Sequence, residues 1–250
     1  MPQNVWDDIY KNYTGPDSIN RYIYSRIIAI LEKYIQPRSR ILEAGCGSGF
    51  LVSYFQNKGH ESVGLDIHEE PLAVAKIFFG VTNTVQGDIF NLPFKDRSFD
   101  VVWNEGVLEH FKIEVSIKAA KEMARVSKKF VIIDVPNRYS PFVVSKFLKK
   151  IAGIWPYGYE ESYSIGRLRY LMEQAGLEVV AVHGVFLSPP LHSMKSIQSI
   201  AALLFLVVPI PERLMAKTLN FIGVLEDRFP WLARHFGFHL ILVGRIKNSQ

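Results

Sequence analysis

Apolar residues along this chain fall into short continuous runs that alternate with helix-spaced stripes, and turn signals close most of the runs. The runs "RILEAG" (Arg40–Gly45), "ESVGLDI" (Glu61–Ile67), Thr82–Gln86, "SFDVVWN" (Ser98–Asn104) and "KFVIIDVP" (Lys129–Pro136) read as strands, several apolar enough to be buried on both faces. Helical patterns over about Gly49–Asn57 and Pro71–Phe79 separate the early strands. Farther on, Ile165, Leu168, Leu171 and Met172 mark a helix that Gly176 stops, followed by a sixth strand in "LEVVAVHGVF" and a seventh in "FHLILVGRIK". Such alternation predicts an α/β fold, a doubly wound Rossmann-like sheet of seven strands covered by helices. Residues 138–160 and 188–235 stand outside the alternation and read as insertions. The second holds "IAALLFLVVPIP", about a dozen apolar residues against the roughly 20 that a membrane span needs.

Composition narrows the field. With 250 residues and 48% hydrophobic content the chain can build one sizeable core, so one domain is expected across 1–250. The formal charge of +5 is spread among acids rather than gathered, which does not point to nucleic acid. One cysteine, Cys46, excludes an internal disulfide or a cysteine-rich zinc site and fits a reducing cytoplasm. Cys46 itself reads as a small buried filler. The start, "MPQNVWDDIYKNY", is polar and acidic, unlike a signal peptide.

The stretch "ILEAGCGSGF" (residues 41–50) carries the chemistry. A bare loop between a buried strand and a helix lets a ligand approach backbone N–H groups and the helix N-terminus. The dinucleotide fingerprint G-x-G-x-x-G fails at its third position, where Phe50 stands, and no Lys-Ser/Thr pair follows as in a phosphate-binding P-loop. What remains is Glu43, Gly45, Gly47 and Gly49 in an E-x-G-x-G-x-G pattern. Asp66 ends the second strand about 20 residues on, where a ribose diol is expected. Ordinary turn glycines and a helix-capping Asp66 are the plain alternatives.

With these motifs and "QGDIFNLPF" and "FDVVWNEGVLEHF" after them, the chain resembles the class I S-adenosylmethionine-dependent methyltransferases, in the small-molecule branch that includes ubiquinone and menaquinone biosynthesis enzymes. The resemblance spans roughly residues 36–136. It implies a seven-stranded sheet with its last strand antiparallel and S-adenosylmethionine as cofactor. By the same resemblance Glu43, Gly45, Gly47 and Gly49 lie against the methionine portion, Asp66 at the ribose with Ile67 also in the cofactor site, Asp88 and Ile89 around the adenine, and Asn104 and Glu105 beside the methyl donor.

Methyl transfer from a sulfonium needs positioning and dryness more than a dedicated catalytic group. If the acceptor is a hydroxyl, His110 in "LEHF" is the candidate base, against a reading in which it caps or packs its loop. Some relatives carry a metal-binding E-x-x-E-H here; the aligned residues are Gly106, Glu109 and His110, with Glu105 displaced by one, so no catalytic metal is expected. Trp6, Tyr10 and Tyr13 share a helical spacing that forms either a lid within residues 1–36 or a plain covering helix. The late insertions, read as a helical acceptor cap, are greasy: Phe142, Val143, Phe147, Leu148 and Ile151 mix with Lys146, Lys149 and Lys150. They suggest a small apolar acceptor such as a lipid or quinone precursor, a peripheral membrane contact, or a homodimer interface, against a cap folded on its own sheet. The alternatives in function are a protein or nucleic-acid methyltransferase and a cofactor-binding, non-catalytic partner protein.

Overall fold

The protein is described here from a computed structural model, which places residues 4–11, 13, 15, 18–185 and 212–247. Its order is α1 (Asn4–Lys11), α2 (Ser18–Leu31), β1 (Arg40–Ala44), α3 (Phe50–Asn57), β2 (Glu61–Asp66), α4 (Glu69–Phe79), β3 (Thr84–Gln86) and β4 (Phe99–Glu105). Then follow α5 (Ile113–Val126), β5 (Ser127–Pro136), α6 (Phe142–Ile151), α7 (Ile165–Gln174), β6 (Leu177–Val185), α8 (Glu212–Arg228), α9 (Pro230–Phe236) and β7 (His239–Ile246). One seven-stranded sheet runs β3-β2-β1-β4-β5-β7-β6, parallel except for β7, which is antiparallel to both neighbours. The chain leaves β1 toward one side of the sheet and returns at β4 to build the other, so a crevice opens at the carboxyl ends of β1 and β4.

Alternation along the strands explains why the sheet is buried twice. Ile41, Val101, Trp103, Ile132 and Ile241 pack under α2 and α3, where they meet Ile27, Leu31, Leu51 and Phe55. Their neighbours Leu42, Val102, Val131, Ile133, Leu240 and Leu242 face the opposite core with Met123, Leu168 and Leu171. The expected strands and helices lie within a few residues of their predicted bounds. The addition is α5, whose buried face consists of Ser116, Ala119, Ala120, Met123 and Val126, mostly too small to register as an apolar stripe.

The first insertion forms α6, whose two faces differ in a way that residue type does not reveal. Phe142 and Lys146 belong to the inner face: Phe142 packs edge-on to Phe238, and the buried Lys146 donates to Glu160 at 3.0 Å and to Ser162 at 2.6 Å. Val144, Phe147, Leu148, Ile151 and the following Ile154 instead face solvent, 58% to 69% exposed. The second insertion supplies α8 and α9; "IAALLFLVVPIP" lies outside the described residues. Among those described, no helix is long and apolar enough to cross a membrane. Arg26 on α2 ties down α8 through Glu226 at 3.1 Å and Asp227 at 2.6 Å.

Candidate functional site

The glycine loop sits where β1 ends at the crevice, and its three glycines are each required by conformation. Gly45, Gly47 and Gly49 have φ of 86°, 49° and 71°, a region closed to most side chains. A Cβ would also meet the Val107 side chain at Gly45, the Tyr10 hydroxyl at Gly47 and the Ala75 side chain at Gly49. Two N–H groups, of Gly45 and Cys46, converge on the Leu65 carbonyl at 2.7 and 2.9 Å and fasten the loop to β2. Cys46 is buried against Val52, Ala75 and Val81, the small filler expected, and burial pushes its thiol well up.

Asp66 does two jobs at the end of β2. Its Oδ2 accepts from the Gly47 N–H at 3.0 Å and its Oδ1 from the His68 N–H at 3.1 Å, so it orders the loop as well as presenting a carboxylate. Ile67 beside it is an exposed apolar side chain. Asp88 is exposed and accepts from the Phe90 N–H at 2.9 Å, a turn-forming bond. The side chain of Ile89 goes into the core, which leaves only its backbone for a ligand.

Asn104 and Glu105, adjacent in sequence, part company in space. Asn104 is fully buried and donates through Nδ2 to the Ala44 carbonyl, tying the ends of β4 and β1 together; its Oδ1 has no partner. Glu105 lies on the face of the sheet shared by Trp103, opposite Asp134 in the β4–β5 register. The carboxylates of Glu105 and Asp134 and the His239 ring approach within 4.8 Å of one another, with His239 Nδ1 2.8 Å from Asp134 Oδ2. Glu43 occupies the same face on β1, buried, its Oε2 without a partner. A row of four ionisable groups thus crosses the carboxyl edge from β1 to β7. Burial, and then the neighbouring Glu105 charge, hold Glu43 well above the carboxylate range, and burial does the same to Glu105, followed by the charge of Asp134. Asp134 is raised by burial, against which His239 works.

Asp134 and His239 escaped the sequence reading. The signal was present in "VIIDVP", an acid inside an otherwise apolar strand. His110 is where that reading put it, after β4. It is buried, its Nδ1 lies 3.0 Å from the Tyr159 carbonyl, and its ring meets Trp6 edge-on at 5.4 Å; burial lowers its pKa. Gly106 brings no ligand, and Glu109 is buried with Oε2 unpartnered. Asp100 accepts from the Arg40 N–H at 2.8 Å at the opposite end of β4, away from this edge.

The N-terminal helix closes over this edge. Tyr10 reaches the Gly47 loop, and burial, with the charge of Asp66 next, raises its pKa. Asp7 pairs with His68 at 2.9 Å, Tyr13 packs against Phe78 and Phe79, and Trp6 stacks on Tyr157 at 5.8 Å. Tyr157 continues a series of rings through Trp155 at 5.2 Å and Phe142 at 6.5 Å to Phe238 at 4.5 Å.

A seven-stranded sheet in this order, with a positive-φ glycine loop after β1 and an acid ending β2, is the arrangement that the resemblance to methyltransferases implied. Residues 42–132 match the model of a family described as a methyltransferase domain. The chain is 28% identical over 189 residues to a probable S-adenosylmethionine-dependent methyltransferase of Mycobacterium tuberculosis, covering 72% of this chain and 65% of that protein. A ubiquinone biosynthesis O-methyltransferase of Hahella chejuensis is 35% identical over 109 residues, 41% of this chain and 44% of that one. The chain therefore spans less than two thirds of the length of either relative. A Thermotoga maritima S-adenosylmethionine-dependent methyltransferase, described as a possible histamine N-methyltransferase, shares the fold at a TM-score of 0.65 and 20% identity, over 98% of this chain and 99% of that one.

Proposed function

We propose that the chain transfers a methyl group from S-adenosylmethionine to a small, apolar acceptor. The observation that carries this reading is the bare glycine cradle beside a buried, unpartnered Glu43 oxygen and the Asp66 carboxylate. The cofactor supplies a methyl group already activated on a positively charged sulfur. Its ammonium and sulfonium charges suit an edge crowded with acids, since a nearby positive charge offsets the cost of burying carboxylates. Gly45, Gly47 and Gly49 would let the methionine end touch the backbone, with Glu43 near its ammonium. Asp66 keeps acceptor capacity for the ribose hydroxyls, Ile67 offers an apolar surface, Asp88 and the Ile89 backbone would take the adenine edge, and Asn104 Oδ1 and Glu105 would serve the reacting end. His110, buried beside Trp6, would help keep water from that end.

The ring series from Trp6 to Phe238 supports an apolar or aromatic acceptor, and α6 supports delivery from a membrane surface on the cytoplasmic side. An exposed apolar ridge beside Lys149 and Lys150 matches an anionic bilayer in both hydrophobicity and charge. Calorimetric titration with S-adenosylmethionine and S-adenosylhomocysteine, with NAD as control, tests the first reading; no binding by folded protein would sink it. Co-sedimentation with phosphatidylglycerol vesicles tests the second. Binding lost in Phe147→Ser/Ile151→Ser supports it, whereas a stable dimer that buries the ridge and ignores vesicles refutes it.

A further inference from the structure

We propose that His239, oriented by Asp134, is the base that removes the proton from the methyl acceptor, and that the acceptor accordingly presents a hydroxyl. This rests on the methyltransferase reading and names the acceptor group for the same edge. His239 opens β7, lies on the same sheet face as Glu105 and Asp134, and retains partial exposure, while Asp134 is fully buried. Asp134 Oδ2 accepts at 2.8 Å from His239 Nδ1, which assigns the ring proton to Nδ1 and leaves the basic lone pair on Nε2. The second Asp134 oxygen, Oδ1, is buried without a partner, so this carboxylate is not spent on a structural network. A carboxylate that fixes the tautomer and stabilises the imidazolium once formed is the arrangement a general base requires. His110, by contrast, is oriented by a neutral carbonyl.

A neutral hydroxyl attacking a methyl carbon would build positive charge on its oxygen inside a dry site, and removing the proton avoids that. The hydroxyl proton goes to Nε2, the oxygen lone pair forms the bond to the methyl carbon, and the carbon–sulfur bond breaks with its pair going to sulfur. The proton then leaves the imidazolium for solvent. Phe238, edge-on to His239 at 4.7 Å, and Phe142 behind it give the hydroxyl's carrier an apolar wall. The titratable groups facing His239 are Asp134 on β5, Glu105 on β4 and Glu226 on α8; Tyr24 on α2 faces Glu105. Burial pushes the imidazole down and these three acids outweigh it, so the base gains strength from its surroundings.

The test uses the full chain and two readouts. In 15N-histidine NMR, His239 should show the Nδ1–H tautomer and titrate above the ordinary imidazole value, and Asp134→Asn should lower that midpoint. With S-adenosylmethionine and a panel of phenols and long-chain alcohols, His239→Gln, which can still donate to Asp134, should lose about 100-fold or more in rate at pH 7. Its affinity for S-adenosylhomocysteine should stay within about twofold of wild type, and the deficit should shrink as pH approaches the acceptor's own pKa. An Nε2–H tautomer, or full activity of His239→Gln in a cofactor-binding protein, overturns the base role alone. Tight Mn2+ binding that His239→Gln abolishes overturns it in favour of a cation site. Failure of wild type to bind S-adenosylhomocysteine overturns the methyltransferase reading and this role with it.

Discussion

Removing the Asp66 carboxylate should damage the fold and the cofactor site together, by separable amounts. Asp66 accepts two backbone N–H groups, from Gly47 at 3.0 Å and His68 at 3.1 Å. Each bond to a charged acceptor contributes about 1.5–3 kcal/mol. Asp66→Asn keeps one carbonyl oxygen and turns an NH2 toward the other N–H, so it should cost about 2 kcal/mol, and Asp66→Ala, losing both, about 4 kcal/mol. Burial raises the pKa of Asp66 despite these bonds, so the figures are upper values. For a chain this long, about 2–4 °C of Tm per kcal/mol gives a drop of roughly 4–8 °C for Asp66→Asn and up to twice that for Asp66→Ala. Two lost ribose contacts would add roughly 100-fold in Kd for S-adenosylhomocysteine. Differential scanning calorimetry reads the first effect and isothermal titration, below the mutant's transition, the second. An Asp66→Ala chain that melts within about 1 °C of wild type would refute the loop-anchoring role. Unchanged affinity would refute the ribose role.

Other expectations follow from the same geometry. Gly45→Ala places a Cβ into Val107 at φ 86° and should lower Tm and expel the cofactor, while Gly59→Ala, also at positive φ but in open space, should cost only about 1–2 kcal/mol of strain. Without ligand, stability should fall as pH rises from 6.5 to 8. Glu43, Glu105 and Glu109 have raised pKa values, and His239 does too, so the folded chain holds protons that the unfolded chain has released; a flat or rising melting curve in that window would contradict this. Lys146→Ala leaves Glu160 buried without its cation and should cost about 3 kcal/mol in urea unfolding, more than Lys128→Ala, whose pair with Asp100 at 3.5 Å is partly exposed.

The strands were legible because a parallel sheet buried on both faces writes itself as runs of Val, Ile and Leu, as in "FDVVWN" and "FVIID". The glycine loop and Asp66 were legible because positive φ and a fixed spacing leave a trace in residue identity. The α5 helix was not, since Ala119, Ala120 and Ser116 pack closely on the sheet without a large apolar signature. Nor was the sidedness of α6, where a buried Lys146 and exposed Phe147 invert the usual meaning of those residue types. The Glu105, Asp134 and His239 group joins three strands, and Asp134 and His239 are 105 residues apart in the chain. Only the strand order, with β7 inserted between β5 and β6, brings them together.

Helix α1 spans the whole working edge with eight residues: Tyr10 rests on the Gly47 loop, and Trp6 touches His110 and Tyr157 on the acceptor side. Anything that seats against Gly47 must push Tyr10 aside, and a short rigid rod cannot yield at one end while staying fixed at the other. A ligand that displaced Tyr10 would therefore disturb Trp6 and its ring contacts as well, so the glycine loop and the ring series share one covering element.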